Sequence, residues 1–202
     1  PFIHADGPDG INGFNNTNNP TVNAELKLRG NLSRSKTPKS YAVKLDSKTD
    51  LFLDQRKFQL FKHRPDGTRV RNKLAFDLFR DIPNFPSLKL QFVKLLINGD
   101  TSNGIYTHAE AIRKEYLVNR GWNEDDNLYS AEEFFFQTHE NLALDKDGKP
   151  LNEDAFEDIL EIKNGKDHRK LVEMLNALAS TSDIDSVIEK YFNRDNYVTW
   201  LA

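Results

Sequence analysis

The 202-residue chain contains no cysteine, which excludes disulfides, thiolate metal sites and cysteine nucleophiles but leaves the compartment open. No apolar run approaches the roughly 20 residues of a membrane-spanning helix, and no hydrophobic leader follows Pro1. The sequence therefore reads as a mature or trimmed chain without a membrane span. The five histidines, His4, His63, His108, His139 and His168, lack metal-ligand spacing, and there is no nucleophile elbow. Both absences argue against a hydrolase. Aromatic residues interleave poorly with the basic ones and no nucleic-acid-binding motif is present, so no nucleic acid is expected as a partner.

What is there suits a globular protein: 38% hydrophobic and 29% charged residues, in a chain long enough for one large domain or two small lobes. A formal net charge of −3 hides an asymmetry. Residues 1–120 hold 20 Lys and Arg against 12 Asp and Glu, whereas residues 121–202 hold 8 against 19. A basic part followed by an acidic part points to two lobes of different character.

The basic part is organised around Glu25–Leu45, ELKLRGNLSRSKTPKSYAVKL. ELKLR alternates polar and apolar as a half-buried strand does, and SYAVKL does so in part. Gly30 to Ser33 can turn tightly between them, and Pro38 restricts the start of the second strand. The segment sets Lys27, Arg29, Arg34, Lys36, Lys39 and Lys44 against Glu25 alone. Backbone N–H groups, hydroxyls and cations on such a hairpin can share the load of a polyphosphate. A solvated edge guarded by lysines is the other reading.

Before this hairpin, residues 1–23 are a Gly-, Pro- and Asn-rich lead-in. Asp6, Asp9, Asn12 and Asn15 could offer oxygens to calcium, but their spacing misses the EF-hand and turn chemistry is expected. After it, KFQLFKH (57–63) is a third strand. RVRNKLAFDLFRDI (69–82) is a helix with Leu74, Leu78 and Ile82 in one i, i+4 row beside Ala75 and Phe79. Arg69, Arg71 and Lys73 crowd the helix start, where the dipole disfavours cations; a bound anion or a partner carboxylate would relieve the mismatch. Residues 90–99 and 104–112 read as a hairpin, with Phe92 to Ile97 apolar enough for a central strand. RKEYLVNRGW begins a helix ending near Gly121.

From Trp122 to Glu161 there are 13 acids against Lys146 and Lys149. NLYSAEEFFFQ contains a short strand. Asp145, Asp147 and Gly148 lie in a turn whose glycine falls two positions early for an EF-hand. The rest reads as helical: DAFEDILEI, DHRKLVEMLNAL with Leu171, Met174, Leu175 and Leu178 inward, and DIDSVIEKYF with Ile184, Val187, Ile188 and Tyr191. The chain stops at RDNYVTWLA while still apolar and periodic, which reads as a truncation.

ELKLRGN-SR, TPKSYAVKL, KFQLF, RNKLAFDL, FVKLLING, GIYTHAEAI and NLYSAE occur in the order of the CotH kinase family, the spore-coat protein H-like atypical protein kinases. The chain resembles that family over most of 24–202. The resemblance implies an α+β, divergent protein-kinase-like fold. Residues 24–112 would be an N-lobe of antiparallel sheet and flanking helix, and 113–202 an acidic, mostly helical and incomplete C-lobe. It further implies ATP with Mg²⁺ as cofactors, phosphoryl transfer to serines of secreted or surface proteins, and an extracellular or cell-surface location. The hairpin 24–46 would cover the phosphates, Arg71–Ile82 would flank the nucleotide, and Ala109-Glu110-Ala111 would lead into a hinge beside the adenine. Lys39 and Lys44 are then the phosphate-facing cations, with Arg29 and Arg34 behind them. Arg71 is an ion-pair or phosphate partner, and Glu110 the hinge or pairing acid. The family's Asn-x-Asp and Trp-Asp-x-Asp motifs, which would supply the catalytic aspartate and Mg²⁺ ligands, do not appear in these residues. Asp195 lacks the Asn five positions on that a kinase catalytic loop requires, Trp200 standing there, and is read as a helix N-terminal acid. No catalytic or metal residue is assigned. The supplied residues are expected to bind nucleotide weakly and not to transfer phosphate. The other reading is a non-catalytic surface, spore-coat or matrix module.

Overall fold

A computed structural model describes residues 22–30, 37–63, 66–98, 100 and 102–201. They divide into two compact units, Pro1–Ala111 and Ile112–Ala202. The candidate calcium ligands of the lead-in, together with Arg34 and Lys36, lie outside the described residues.

Unit 1 is an antiparallel sheet with one helix. Its strands are β1 (Ala24–Arg29), β2 (Ser40–Leu45), β3 (Lys57–Phe61), β4 (Leu90–Lys94) and β5 (Ile105–Glu110), with α1 (Arg71–Arg80) between β3 and β4 in the chain. The strand order is β1-β2-β3-β5-β4. Alternation sorts the side chains onto two faces. One face collects Ala24, Val43, Leu45, Phe58, Leu60 and Tyr106 into the core, with Tyr41, Phe52, Val93 and Leu95 against it. The other carries Glu25, Lys27 and Arg29 of β1, Lys44 of β2, and Lys57 and Gln59 of β3, by the strand registers. Gly30, at φ 96°, ends β1 in a left-handed conformation that a side chain would disfavour.

Two expectations are corrected here. The apolar run from Phe92 is not central: β4 is an edge strand and Phe92 is 43% exposed. The interior strand is β5, in which Tyr106 to Glu110 are all buried. Hydrophobicity describes what a strand could bury, while strand order decides what it does bury. On α1 the Leu74/Leu78/Ile82 row is exposed within this unit, and Ala75 and Phe76 are half-buried instead. Ser87 Oγ donates to the Phe76 carbonyl at 2.6 Å, tying that side of the helix to the run-in of β4.

Unit 2 contains α2 (Lys114–Val118), β6 (Leu128–Ser130), a 3-10 turn (Glu140–Leu142), α3 (Glu153–Glu157), β7 (Glu161–Asn164), α4 (Arg169–Ser180), α5 (Ile184–Tyr191) and α6 (Arg194–Leu201). Leu142, Phe156, Leu160 and Leu175 form its core, with Tyr129, Ile162, Leu171 and Met174 packed around them. DAFEDILEI is not one helix. The helix stops at Glu157, and Glu161–Asn164 pairs with β6 as a two-stranded antiparallel ladder, a partner 31 or more residues away that periodicity cannot foresee. The Asp145 turn uses its carboxylate on the amides of Asp147 (2.8 Å) and Lys149 (2.9 Å), as a turn residue does. Asp195 lies in the first turn of α6. Among the described residues, no helix is long and apolar enough to cross a membrane.

Gly165, just after β7, has φ 97°. An added Cβ would lie 2.9 Å from Asn127 Cα and 2.7 Å from Asn127 Cγ. Asn127 is held in place by donating from Nδ2 to the Asp167 carbonyl at 2.7 Å. Gly165→Ala is therefore expected to cost about 2 kcal/mol, through backbone strain plus the displaced amide. Urea unfolding of the variant tests this; a midpoint equal to wild type would show that the Asn127 contact is not binding on the fold.

Candidate functional site

The open face of β1–β2–β3 is where charge gathers. Register aligns Glu25, Lys44 and Lys57 on three adjacent strands, and one rung along it aligns Lys27, Ala42 and Gln59. Glu25, Lys27, Lys44 and Lys57 are exposed, whereas Ala42 and Gln59 are half-buried and floor the patch. Lys27 Nζ lies 2.9 Å from Glu25 Oε1. Lys27 holds the Glu25 carboxyl below its ordinary value, first by that hydrogen bond and then by charge, with Lys44 and Lys57 adding to the effect. Lys27 thus pairs with the carboxylate, and Lys44 and Lys57 act on it from farther along the rung. Lys44 is not an edge guard: β2 lies inside the sheet, and Lys57 is its direct cross-strand neighbour. Like charges facing one another across strands are destabilising, which is an unusual arrangement for a face with no task.

The other candidate cations are spread out. Arg29 is on the same face as Lys44 but four residues along β1 from that rung, about 13 Å at the strand rise. Its guanidinium lies 4.4 Å from the Phe61 ring centroid, and partial burial lowers its pKa. Lys39 is half-buried and immediately precedes β2, next to Ser40, which is in register with Arg29. Arg29 and Lys39 therefore belong to the hairpin end of the face and Lys44 to the opposite end.

Arg71 and Glu110 are elsewhere. The anion demanded by the cationic start of α1 is Asp66, a residue of this chain. Its Oδ1 accepts from Thr68 N at 3.0 Å and Thr68 Oγ1 at 2.6 Å, and its Oδ2 accepts from Arg71 N at 3.1 Å. Arg71 Nε is 3.6 Å from Asp66 Oδ1. These bonds, led by the Thr68 hydroxyl, lower the Asp66 carboxyl to about 2. Arg71 is thus placed by an internal carboxylate and not brought to the lysine face.

Glu110 is 3% exposed and lies on the core face, so it cannot pair with Lys44 across the sheet. Its Oε1 accepts from Lys89 N at 2.7 Å and its Oε2 from Gln55 Nε2 at 3.5 Å, while its own N–H donates to the Lys89 carbonyl at 3.2 Å. The carboxylate clips the end of β5 to the run-in of β4 and to the loop before β3. The chain passes into unit 2 directly afterwards, at Ala111 and Ile112.

Sequence reasoning missed three features. The sequence shows Lys57 only as the first residue of a strand; its in-register opposition to Lys44 needs the β2–β3 pairing. Lys62, 4% exposed, donates from Nζ to the carbonyls of Asn103 and Ile105 and stacks over the Tyr106 ring at 4.3 Å. Its phase with Phe58 and Leu60 was the available signal. His108, 2% exposed, sits between the rings of Phe52 (5.2 Å) and Phe58 (4.9 Å), and burial drives its pKa down to about 4.

Unit 2 offers a cleft of about 900 Å³ walled by Glu132, Glu133, Asp154, Glu157, Asp158 and Glu161. Six carboxylates would repel a polyphosphate, in contrast to the lysine face of unit 1. Among the described residues, no three His, Asp or Glu side chains come together as a metal cluster.

No curated protein matches the chain. The family model of the CotH kinase protein matches residues 26–202, which takes in the lysine face of the sheet except Glu25 and all of unit 2, and the chain belongs to the CotH kinase family.

Proposed function

We propose that this chain binds the phosphates of ATP on the lysine face of β1–β2–β3, as the nucleotide-binding part of a CotH-type protein kinase. The observation that carries the reading is Lys44: an exposed ammonium on an interior strand, with Lys57 as its direct cross-strand neighbour on one side and Glu25 on the other. A polyphosphate converts that repulsion into attraction, and the Gln59 amide beside it adds a neutral donor.

Phosphoryl transfer demands charge neutralisation and in-line positioning more than covalent chemistry. ATP supplies the transferable phosphoryl group, and the residues of this chain bind and orient it. Lys44 is assigned to the phosphates, with Lys39 and Arg29 serving the hairpin end. Glu110 acts as a positioning residue: its clip on Lys89 and Gln55 fixes the peptide at the end of β5, which is given the hinge role beside the adenine. Arg71 is withdrawn from the phosphate set because Asp66 holds it. No Mg²⁺ ligand and no catalytic base is assigned. The acceptor assigned in this reading is a serine on secreted or cell-surface proteins, by resemblance to the family.

Calorimetric titration with ATP, with and without Mg²⁺, tests the assignment. Wild type is expected to bind, and Lys44→Ala to weaken binding about tenfold, the loss of one charge-assisted contact. Undetectable binding of ATP at millimolar concentration in both metal conditions would sink the proposal and leave the non-catalytic surface-module reading.

A further inference from the structure

The turn between β4 and β5 carries chemistry that the lysine face does not use. Four Asn-Gly pairs occur in the sequence, beginning at Asn12, Asn98, Asn103 and Asn164. Asn103-Gly104 and Asn164-Gly165 are described in full, and the fold treats them oppositely. Asn164 Nδ2 donates to the carbonyls of Glu124 at 2.8 Å and Asp126 at 2.7 Å, and Gly165 is crowded by Asn127. That side-chain amide is pinned. Among the described residues, neither the Asn103 side-chain amide nor the Gly104 N–H makes a hydrogen bond. Both residues are half-buried and flanked by exposed Ser102 and Ile105, so the turn is open to water.

One cation is fixed on this peptide. Lys62 Nζ donates to the main-chain carbonyl of Asn103, and to that of Ile105 at 3.0 Å. A Cβ added to Gly104 would lie 3.6 Å from the same nitrogen, so the ammonium rests against the Asn103-Gly104 unit. Asp100, the acid of the turn, is taken up by Ser102, whose N and Oγ donate to it at 2.8 and 2.7 Å. Gly104, at φ 65°, has no side chain to shield its nitrogen.

We propose that Asn103-Gly104 is a site of spontaneous covalent modification, in which Lys62 activates the Gly104 amide nitrogen to close a succinimide on the Asn103 side chain. Loss of the Gly104 amide proton to water spreads negative charge onto the Asn103 carbonyl oxygen, the atom that holds Lys62 Nζ. A fixed ammonium there stabilises the developing anion as an oxyanion hole does. Gly104 N then bonds to Asn103 Cγ, the Cγ–Nδ2 bond breaks, and Nδ2 leaves as ammonia with a proton taken from water. A second water opens the ring. Attack at the former main-chain carbonyl carbon, which Lys62 polarises, gives isoaspartate, whose free carboxylate forms at the atom already paired with the ammonium. Attack at Cγ gives aspartate. Either route adds one negative charge to the turn, and the isoaspartate route also lengthens the main chain by one carbon.

The experiment ages the chain at neutral pH, folded and in urea, and follows the peptides holding Asn103 and Asn164 by mass spectrometry with isoaspartate detection. In the folded chain Asn103 is expected to react about tenfold faster than Asn164, and about tenfold faster than it does itself in urea, where Lys62 is no longer held against it. Asn164 is expected to react faster in urea than folded, because its pinned amide is released. Lys62→Met is expected to slow Asn103 about tenfold and leave Asn164 unchanged, the loss of one charged contact to the developing anion. Asn164 doubles as the folding control. If it reacts at its urea rate in Lys62→Met, that variant has unfolded, and the folded and urea rates of the wild-type chain decide alone. Asn103 reacting no faster folded than in urea overturns the proposal. So does a folded Lys62→Met in which Asn103 reacts at the wild-type rate.

Discussion

Phe156→Ala is expected to remove about 3–5 kcal/mol of stability from unit 2, enough to leave a domain of this size largely unfolded. Phe156 is fully buried among Leu142, Leu160 and Leu175, and its ring lies 5.2 Å from that of His168 and 6.4 Å from that of Tyr129. It is carried by α3, a helix of five residues that could not persist alone. The Asn152 side chain caps that helix by accepting from Ala155 N at 3.1 Å, a bond worth about 1 kcal/mol. The ring must therefore do most of the holding. Its loss leaves a cavity and strands the Tyr129 Oη–His168 Nδ1 hydrogen bond, 2.6 Å long, without its wall. Urea unfolding followed by near-ultraviolet circular dichroism measures the loss, and Phe156→Leu should recover most of it. A cost below about 1 kcal/mol would mean that the core of unit 2 has been misplaced.

Acid should weaken unit 1 well before its carboxylates titrate. His108 is held neutral by burial, with a folded-state pKa of about 4 against an ordinary 6.5. A base depressed in this way leaves the fold at full strength above pH 6.5. As pH falls below that value the unfolded chain takes up a proton that the folded chain refuses, and stability declines until the folded histidine itself protonates near pH 4. The loss across this window is about 3 kcal/mol. Around the ring are Phe52, Phe58, Gln55 and, two residues along the same face of β5, Glu110; Gln91 is its cross-strand neighbour on β4. Burial alone sets the direction of the shift, with no compensating charge from Glu110. Asp66 and Asp167, each lowered to about 2, lose their contributions only at more acidic pH, so the two effects separate. Unfolding midpoints between pH 7.5 and 4.5 should fall steeply in wild type and less steeply in His108→Phe, where His63 and His168, also lowered by burial, still contribute. Parallel curves for the two proteins would remove His108 as the cause.

Much of unit 1 was legible from local pattern. The alternation of ELKLR and KFQLF, the glycine that ends the first strand and the helix after Asp66-Gly67 all reappear as β1, β3, Gly30 and α1. These features depend on residues close in sequence, and the forces that create them act at short range. The burial of β5 over β4, the exposure of Leu74 and Leu78, and the strand Glu161–Asn164 inside an apparent helix were not legible. Each depends on a partner far along the chain. The candidate site divides in the same way. That Lys44 would be present and cationic needed only the sequence, whereas its rung with Glu25 and Lys57 needed the β1–β2 and β2–β3 registers.

By itself, then, the sequence determined the family motifs, the α+β composition, the cationic character of the first unit and the acidic character of the second. Residue type and short-range periodicity suffice for these. Only the tertiary structure decided which charges share a face. A strand places alternate residues on opposite sides, so pairing put Glu25, Lys44 and Lys57 on one rung, turned Glu110 to the core face and gave Arg71 to Asp66. Charge is a property of a residue, but an anion site is a property of the distance between several, and that distance is set by pairing and packing.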